Sequence, residues 1–308
     1  MMDVGVYVPQ LALSFEEVRH RAERCERLGI RSLWLYDHLY GPGMPKLPSL
    51  EAWTVATAVL ACTRTLRVGH LVLCNQFRHP ALLAKMAATL DVVSDGRLEV
   101  GIGSGSYEQE HVQAGLPWDT AAERSERLAE TLEILTQAFA GDVVDFEGAH
   151  YTVRGLPTLP RPAQNPRPPI IVGGAGERRT LPLVARYADV WNVPTYALDA
   201  LDRKLAVLRE YCERIGRDPA SIRLSVEAVL ALAPDDASLP SVREVAERRF
   251  GDPGFGLHEG GLVGTAPAIV ERLQALHKLG FDQVVLITHD RASDETLELL
   301  ASDVLPHL

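Results

Sequence analysis

Eight short runs of valine, isoleucine and leucine recur along the chain, and segments with helical periodicity separate most of them. The runs lie at residues 4–8, 32–36, 68–73, 98–102, 170–172, 190–193, 222–230 and 284–287. Strands that are apolar on both faces and alternate with helices are typical of a parallel sheet covered by helices. Eight such units in 308 residues fit a closed barrel better than an open sheet. The sequence therefore predicts an α/β fold, a single (β/α)8 TIM-barrel domain spanning residues 1–308.

Two of the spacings between runs are wide, and they predict insertions in the barrel. Residues 141–169 follow the fourth helix and contain two short stretches, 143–146 and 151–153, that predict a small hairpin. Residues 233–262 follow the seventh strand and are rich in proline and glycine. Because long loops in compact domains are usually functional, this second insertion is a candidate mobile lid.

Charge and cysteine usage narrow the class of protein. Lysine and arginine number 31 against 41 acidic residues, a net charge of −10, and no basic stripe favours nucleic acid. The longest apolar run, residues 55–62, is too short to cross a bilayer. The four cysteines are scattered and the N-terminus lacks the features of a signal peptide. We expect a cytoplasmic protein that binds neither nucleic acid nor a membrane.

Catalytic groups in such barrels cluster at the C-terminal ends of the strands, and the second strand ends in Asp37-His38. A histidine there could exchange a proton near neutral pH, and the aspartate could accept a hydrogen bond from a cofactor or orient the site. In the alternative interpretation Asp37 caps a turn and His38 is an ordinary loop residue. Two further histidines have structural interpretations: His70 fills the barrel interior, and His79, before a proline, starts a helix.

Two glycine loops follow strands. In Gly101-x-Gly103-x-Gly105 the third glycine of a dinucleotide fingerprint is missing at the required offset, so close backbone approach at a crowded barrel rim explains it equally well. The loop of residues 173–176 joins a strand to a helix, where backbone N–H groups commonly hold a phosphate, and Arg178 or Arg179 could add positive charge. Together with Asp37-His38, these loops favour a flat cofactor with a single phosphate site over a dinucleotide.

The ordered set of motifs resembles the bacterial luciferase-like superfamily of barrel flavin and deazaflavin enzymes, most closely its branch that uses coenzyme F420, a 5-deazaflavin with a phospholactyl-glutamate tail. The resemblance extends over nearly the whole chain. Its segments are SLWLYDH at 32–38, LEAWT at 50–54, RHPALLAKM at 78–86, ATLD at 88–91, SDGRL at 94–98, GIGSG at 101–105, ERLAE at 126–130, IVGG at 171–174 and ADVWN at 188–192.

The resemblance implies roles for individual residues. Asp37 and His38 would face the deazaflavin ring, with His38 as the proton donor or acceptor. Leu71-Val72 matches the position where the family often has a non-proline cis peptide that supports the ring. The remaining cofactor contacts would come from the ring-edge residues Cys74 and Asn75, the wall residues Gly105, Ser106 and Tyr107, and the phosphate-binding loop Gly173, Gly174, Ala175 and Gly176.

The sequence leaves three functions open. The first is an F420-dependent oxidoreductase that transfers hydride between C5 of the deazaflavin and a small organic substrate. The second is an FMN-dependent luciferase-like monooxygenase that uses O2, although Leu128 replaces the tyrosine that often reaches the FMN phosphate. The third is a non-catalytic flavin-binding protein. Ser106 and Pro42 replace a glutamate and a tryptophan of sugar-phosphate dehydrogenases, which makes that substrate doubtful. The resemblance also implies a homodimer formed through the second and third helices.

Overall fold

Eight parallel strands form a closed barrel in the computed structural model, which describes residues 2–141, 143–252 and 255–308. In chain order the strands are β1 Asp3–Tyr7, β2 Ser32–Leu35, β3 Arg67–His70, β4 Leu98–Gly103, β5 Ile170–Gly173, β6 Val190–Pro194, β7 Arg223–Ala233 and β8 Phe281–Thr288. Each strand pairs with the next along the chain, and β8 closes the barrel on β1. The predicted TIM barrel is confirmed, and each of the eight apolar runs overlaps one barrel strand.

Eleven helices of the described chain surround the barrel or lie at its ends. They are α1 Phe15–Arg27, α2 Ala52–Cys62, α3 Pro80–Val93, α4 Glu108–Ala114, α5 Ala121–Ala140, α6 Thr180–Tyr187, α7 Leu201–Arg214, α8 Leu239–Phe250, α9 Leu257–Gly260, α10 Ala266–Lys278 and α11 Asp294–Leu299. Helix α1 begins with a capping box: the Ser14 hydroxyl accepts from the Glu17 N–H, and the Glu17 carboxylate accepts from the Ser14 N–H. His79 caps the start of α3 by accepting from the Ala81 N–H.

Alternation along the strands divides the apolar residues into two layers. Side chains such as Val6, Leu33 and Leu286 pack outward against the helices, whereas those of the other parity fill the barrel. Trp34 occupies the barrel interior, and its indole leaves so little room that a Cβ on Gly69 would lie 2.5 Å from the ring. Glycine is therefore required beside this tryptophan.

His70 was expected to fill the barrel interior, and that interpretation is wrong. Its ring points outward from β3 and stacks on Trp53 of α2, with ring centroids 5.3 Å apart and planes 8° apart. The residue is fully buried, and burial lowers its pKa to about 4. His70 has the same parity as Val68, which also faces the helices, so the strand alternation already determined its direction.

The two insertions differ in structure. Residues 141–169 contain the expected hairpin, formed by antiparallel strands Val143–Glu147 and Thr152–Pro157. Residues 233–262 contain α8 and α9, followed by a short strand, Leu262–Thr265, that pairs with the end of β7. The sequence analysis missed α8. The apolar face of this helix packs against the side chains that fill the barrel. Pro253 and Gly254 of this insertion lie outside the described residues, and its role as a lid stays a prediction.

The described part of the chain holds neither a candidate membrane-spanning helix nor a metal-ligating cluster. None of the helices there combines the length and the apolar character that crossing a bilayer requires. Nor do three or more histidine, cysteine or acidic side chains come together there in a group able to hold a metal ion. Cys25, Cys62, Cys74 and Cys212 are all free thiols.

Candidate active site

A cavity of about 440 Å³ opens at the C-terminal ends of the barrel strands. This is the end at which TIM barrels carry their active sites, and the volume is in the range of small-molecule pockets. Most residues that the sequence analysis assigned to the site line this cavity: Asp37, His38, Leu71, Val72, Cys74, Gly105, Ser106, Gly173, Gly174, Ala175 and Gly176. The structure thus brings together residues that are up to 139 positions apart (from 37 to 176).

His38 is held by a carboxylate that the sequence analysis did not assign. Its Nδ1 lies 2.7 Å from Oε1 of Glu110, and the second oxygen of Glu110 accepts from the Leu39 N–H at 2.9 Å. Glu110 comes from the short helix α4, and only 1% of its side chain is exposed. A carboxylate that accepts from Nδ1–H fixes the imidazole tautomer and leaves Nε2 as the atom able to accept or donate a proton.

Asp37 is engaged by protein groups on both carboxylate oxygens. Oδ2 accepts from the Cys74 N–H at 2.8 Å and from Arg78 at 2.7 Å, and Oδ1 accepts from Arg78 at 3.1 Å. The Arg78 guanidinium also contacts Glu51. Asp37 therefore joins the end of β2 to the segment that precedes α3 through a buried, bidentate ion pair. This geometry gives it a positioning role beside His38.

The backbone at the cavity floor is tightly packed. The peptide between Leu71 and Val72 is cis, as the resemblance implied. Val72 lies against the strand glycines: a Cβ on Gly103 would be 2.7 Å from Val72 Cγ2, and one on Gly173 would be 2.9 Å from Val72 Cγ1. A Cβ on Gly101 would be 1.9 Å from the His70 carbonyl oxygen. Close backbone approach thus explains the strand-four glycines, and they are not a dinucleotide fingerprint.

Cys74 lies at the cavity wall beside a second buried histidine. Its Sγ is 3.3 Å from Nε2 of His111, a residue of α4. Burial is the largest influence on the thiol and raises its pKa to about 12. Cys74 is therefore a neutral packing residue at physiological pH and not a nucleophile.

Asn75 and Tyr107, which the resemblance placed at the cofactor, lie outside the cavity lining. Asn75 is buried, and neither its amide nitrogen nor its amide oxygen has a hydrogen-bond partner in the described chain. The Tyr107 hydroxyl accepts from the Gly43 N–H and donates to Gln109. Their contact with a cofactor stays a prediction.

The glycine loop after β5 presents free donors. Gly174 uses its N–H in a hydrogen bond to the Asn192 carbonyl, at 3.2 Å. The next N–H groups along the loop, those of Ala175, Gly176 and Glu177, donate to no partner in the part of the chain that the structure describes. They precede α6, whose N-terminus favours an anion. The loop therefore has the donors that a phosphate needs.

A groove with an opening toward solvent adjoins this loop and shares Ala175, Gly176 and Thr180 with the main cavity. Arg178, Arg179 and Lys204 line it. The Lys204 ammonium donates to the Ala175 carbonyl at 2.9 Å and lies 3.8 Å from Glu177. The site thus joins a compact cavity to a cationic groove that can hold an extended anionic group.

A carboxyl group on β7, that of Glu227, also faces the cavity, and the sequence analysis did not assign it. Burial raises its pKa to about 7. A sequence signal for it exists. Arg223 and Glu227 are the only charged residues in the run 222–230, and Arg223 lies at its start. Glu110 had a weaker signal: only its position in a helix directly after strand four suggests it.

The fold and the site define the chain as a TIM-barrel protein with a cavity of about 440 Å³ and an adjoining cationic groove. A sequence model described as luciferase-like monooxygenase matches residues 2–250. The chain therefore belongs to the luciferase-like monooxygenase family, and the resemblance drawn from the motifs is confirmed.

Individual relatives are similar over much of their length. An F420-dependent glucose-6-phosphate dehydrogenase of Microbacterium testaceum is 29% identical over 92% of this chain and 90% of its own. An F420-dependent hydroxymycolic acid dehydrogenase of Mycobacterium tuberculosis is 28% identical over 76% of this chain, which spans only 64% of that relative.

Solved structures share the fold. An F420-dependent secondary alcohol dehydrogenase, in complex with an F420-acetone adduct, superimposes with a TM-score of 0.85 at 19% identity, covering 99% of this chain and 98% of its own. The monooxygenase RslO1 of Streptomyces bottropensis gives 0.82 at 23% identity, covering 99% of both chains. At these identities the likeness concerns the barrel alone.

Proposed function

We propose that the chain is an F420-dependent oxidoreductase that transfers hydride between the deazaflavin and a small organic substrate. The observation that carries the proposal is the continuity of the cavity with the cationic groove through the loop at Ala175 and Gly176. The cavity suits a flat ring system, and the groove suits an anionic tail. Homologues named as F420-dependent dehydrogenases support the choice of cofactor.

The groove favours F420 over FMN. Arg178 and Arg179 provide two cations beyond the free N–H groups of the loop, and Lys204 provides a third that it shares with Glu177. This is more than a single phosphate requires but suits a phosphate followed by glutamate carboxylates. In α5, the Leu128 side chain is buried in the core. It offers no hydroxyl at the position where FMN-dependent relatives often have a tyrosine.

His38 moves the proton that accompanies hydride transfer. When bound, F420 supplies hydride chemistry at its ring, and the protein supplies placement. Because Glu110 accepts from Nδ1–H, Nε2 of His38 accepts the proton that a substrate releases when it is oxidised and returns a proton to one that is reduced. The burial of Glu110 keeps this hydrogen bond away from competing water.

A sugar phosphate does not suit the site, although one relative is named as a glucose-6-phosphate dehydrogenase. No lysine or arginine of the described chain lines the main cavity, so a second phosphate beside the ring would meet no cation. Ser106 stands where the general-acid glutamate of those enzymes is found. We therefore propose a substrate without a phosphate group.

Turnover with O2 excluded tests the proposed function. The purified protein is incubated with F420 and a panel of secondary alcohols and amines, or with reduced F420 and the matching ketones, imines and unsaturated compounds, and the cofactor absorbance is followed. We expect hydride transfer that needs no oxygen, because a deazaflavin carries hydride without readily activating O2. Turnover that needs FMN and O2 together would contradict the proposal and support the monooxygenase.

A homodimer formed through α2 and α3 is the second part of the proposal. Leu82, Val92 and Val93 of α3 are large apolar side chains that lie exposed, and a partner subunit would cover them. We expect light scattering to give twice the mass of the chain. A monomer mass at micromolar concentration would contradict this arrangement.

The cytoplasmic location of the protein stays a prediction.

A further inference from the structure

One carboxyl group in the cavity has no hydrogen-bond or ion-pair partner among the described residues. Three carboxylates line it, those of Asp37, Glu110 and Glu227. Asp37 is paired with Arg78, and Glu110 is bonded to His38. The Glu227 carboxyl has neither a hydrogen bond nor an ion pair with any residue in 2–141, 143–252 or 255–308, although its backbone carbonyl accepts from Thr195. Its charge is therefore uncompensated in the protein alone.

Glu227 lies at the junction of two spaces. One is the main cavity, and the other is a smaller chamber of about 90 Å³ that shares Glu227, Pro194 and Tyr196 with it. Apart from Thr195, the rest of the chamber is apolar or aromatic and consists of Val229, Phe250, Phe255 and Ile287. The two phenylalanine rings meet edge to face, with centroids 5.7 Å apart.

Among the residues that the structure describes, no cation acts on the Glu227 carboxyl. Tyr7 from β1 and Tyr196 from the turn after β6 lie within electrostatic reach of it: burial mainly, and the Glu227 charge second, raise the pKa of each phenol. Strand β8 contributes Ile287 to the chamber, and α8 contributes Phe250. A carboxyl group with aromatic rings around it is the combination that recognises an organic cation, through ion pairing and cation–π attraction.

We propose that the substrate is an organic cation, an iminium ion or its amine product, whose nitrogen lies against Glu227 and whose apolar body enters the chamber lined by Phe250 and Phe255. This inference rests on the proposed function for the reaction but not for the binding. In the reduction, a hydride from reduced F420 adds to the iminium carbon. The π electron pair of the C=N bond becomes the nitrogen lone pair. The nitrogen then binds the proton that reduced F420 releases after it has given up its hydride.

Binding of a matched pair of probes, benzylamine and benzyl alcohol, tests the assignment. An aliphatic ammonium stays protonated between pH 6 and 8, so any change in preference over this range comes from the protein. We expect benzylamine to bind roughly tenfold more tightly than benzyl alcohol at pH 8. The preference should shrink at pH 6, because Glu227, with a pKa of about 7, is mostly protonated there.

Two variants make the test specific. Glu227→Gln should remove the preference for benzylamine and leave the affinity for benzyl alcohol unchanged. Glu244→Gln, an identical charge change on the exposed face of α8, should leave both affinities unchanged. A preference for benzylamine that survives Glu227→Gln, or equal affinity of the wild-type protein for both probes, would overturn the inference.

Thermal unfolding of the F420-free protein gives a second readout. Folding raises the Glu227 pKa from 4.5 to about 7, so the folded state binds more protons than the unfolded state within that interval. The stability contribution of this group is present below pH 4.5 and is lost as the pH rises through 7. Glu227→Gln should therefore raise the melting temperature relative to wild type more at pH 8 than at pH 5. An equal difference at both pH values would contradict a desolvated carboxyl.

The binding assay also separates this inference from the proposed function. It is run on the protein with and without F420, and F420 binding is titrated independently. Failure to bind F420 would reject the proposed cofactor while the probe preference still reported on Glu227. Binding of F420 without any preference for the amine would reject only the substrate assignment.

Discussion

Replacing His38 by alanine should lower kcat with F420 by about 100- to 10,000-fold, the usual contribution of a positioned general acid or base. The dissociation constant for F420 should change little, because the groove at Arg178, Arg179 and Lys204 stays intact. His38 lies at the cavity with Nδ1 bonded to Glu110, so the alanine variant loses the proton-transfer group and the donor to Glu110 Oε1, while Glu110 keeps the Leu39 N–H on its other oxygen. Steady-state kinetics together with a fluorescence titration of the cofactor measure both quantities.

Glu110→Gln is the matched variant for this experiment. The glutamine amide still accepts from Nδ1–H or from the Leu39 N–H, but it no longer provides a negative charge for an imidazolium. We expect a smaller loss of kcat than in His38→Ala and a displaced pH profile, with F420 binding retained. Undiminished turnover in His38→Ala would remove the histidine from the mechanism, and an unmoved pH profile in Glu110→Gln would remove its positioning partner.

Asp37→Ala should lower the free energy of unfolding by about 3 kcal/mol, because it leaves the buried Arg78 guanidinium without its bidentate partner. The Cys74 N–H also loses its acceptor. The loss should lie at the lower end of the usual range, since Arg78 keeps its contact with Glu51. Denaturant unfolding of the wild-type and variant proteins, with equal slopes, measures the difference.

A double-mutant cycle with Arg78→Met isolates the ion pair. If Asp37 acts mainly by holding Arg78, the double variant should be less destabilised than the sum of the two single variants predicts. An Asp37→Ala protein with wild-type stability and no turnover would contradict the positioning role. It would instead support the alternative in which Asp37 contacts the cofactor directly.

Local patterns in the sequence were enough to predict the barrel. Runs that are apolar on both faces predicted all eight strands, because a parallel strand buried between helices has no polar face. The capping box at Ser14 and Glu17 likewise depends on residues three positions apart. Helix α8 was missed because the prolines and glycines of the insertion concealed an apolar spacing of four residues at Val242, Ala246 and Phe250.

The site was predictable in part. Strand ends identify Asp37, His38 and the loop at residues 173–176, because all parallel strands of a barrel end at one rim. Which partner each side chain meets depends on folding across the chain: Glu110 is 72 positions from His38, and Arg78 is 41 positions from Asp37. No local pattern encodes those pairs. The direction of the His70 side chain, by contrast, followed from strand alternation: His70 has the same parity as Val68, which faces the helices. The prediction that His70 fills the barrel was wrong because it did not take this alternation into account.

The most direct test of the account is a fluorescence titration of the cofactor-free protein with F420 and, separately, with FMN. The cavity and the cationic groove together predict that F420 binds at least about tenfold more tightly than FMN, because only F420 carries carboxylates beyond its phosphate for the cations of the groove, Arg178, Arg179 and Lys204, to bind. Equal or tighter binding of FMN would contradict the F420-dependent assignment, and binding of neither would contradict a flavin-type cofactor at this site.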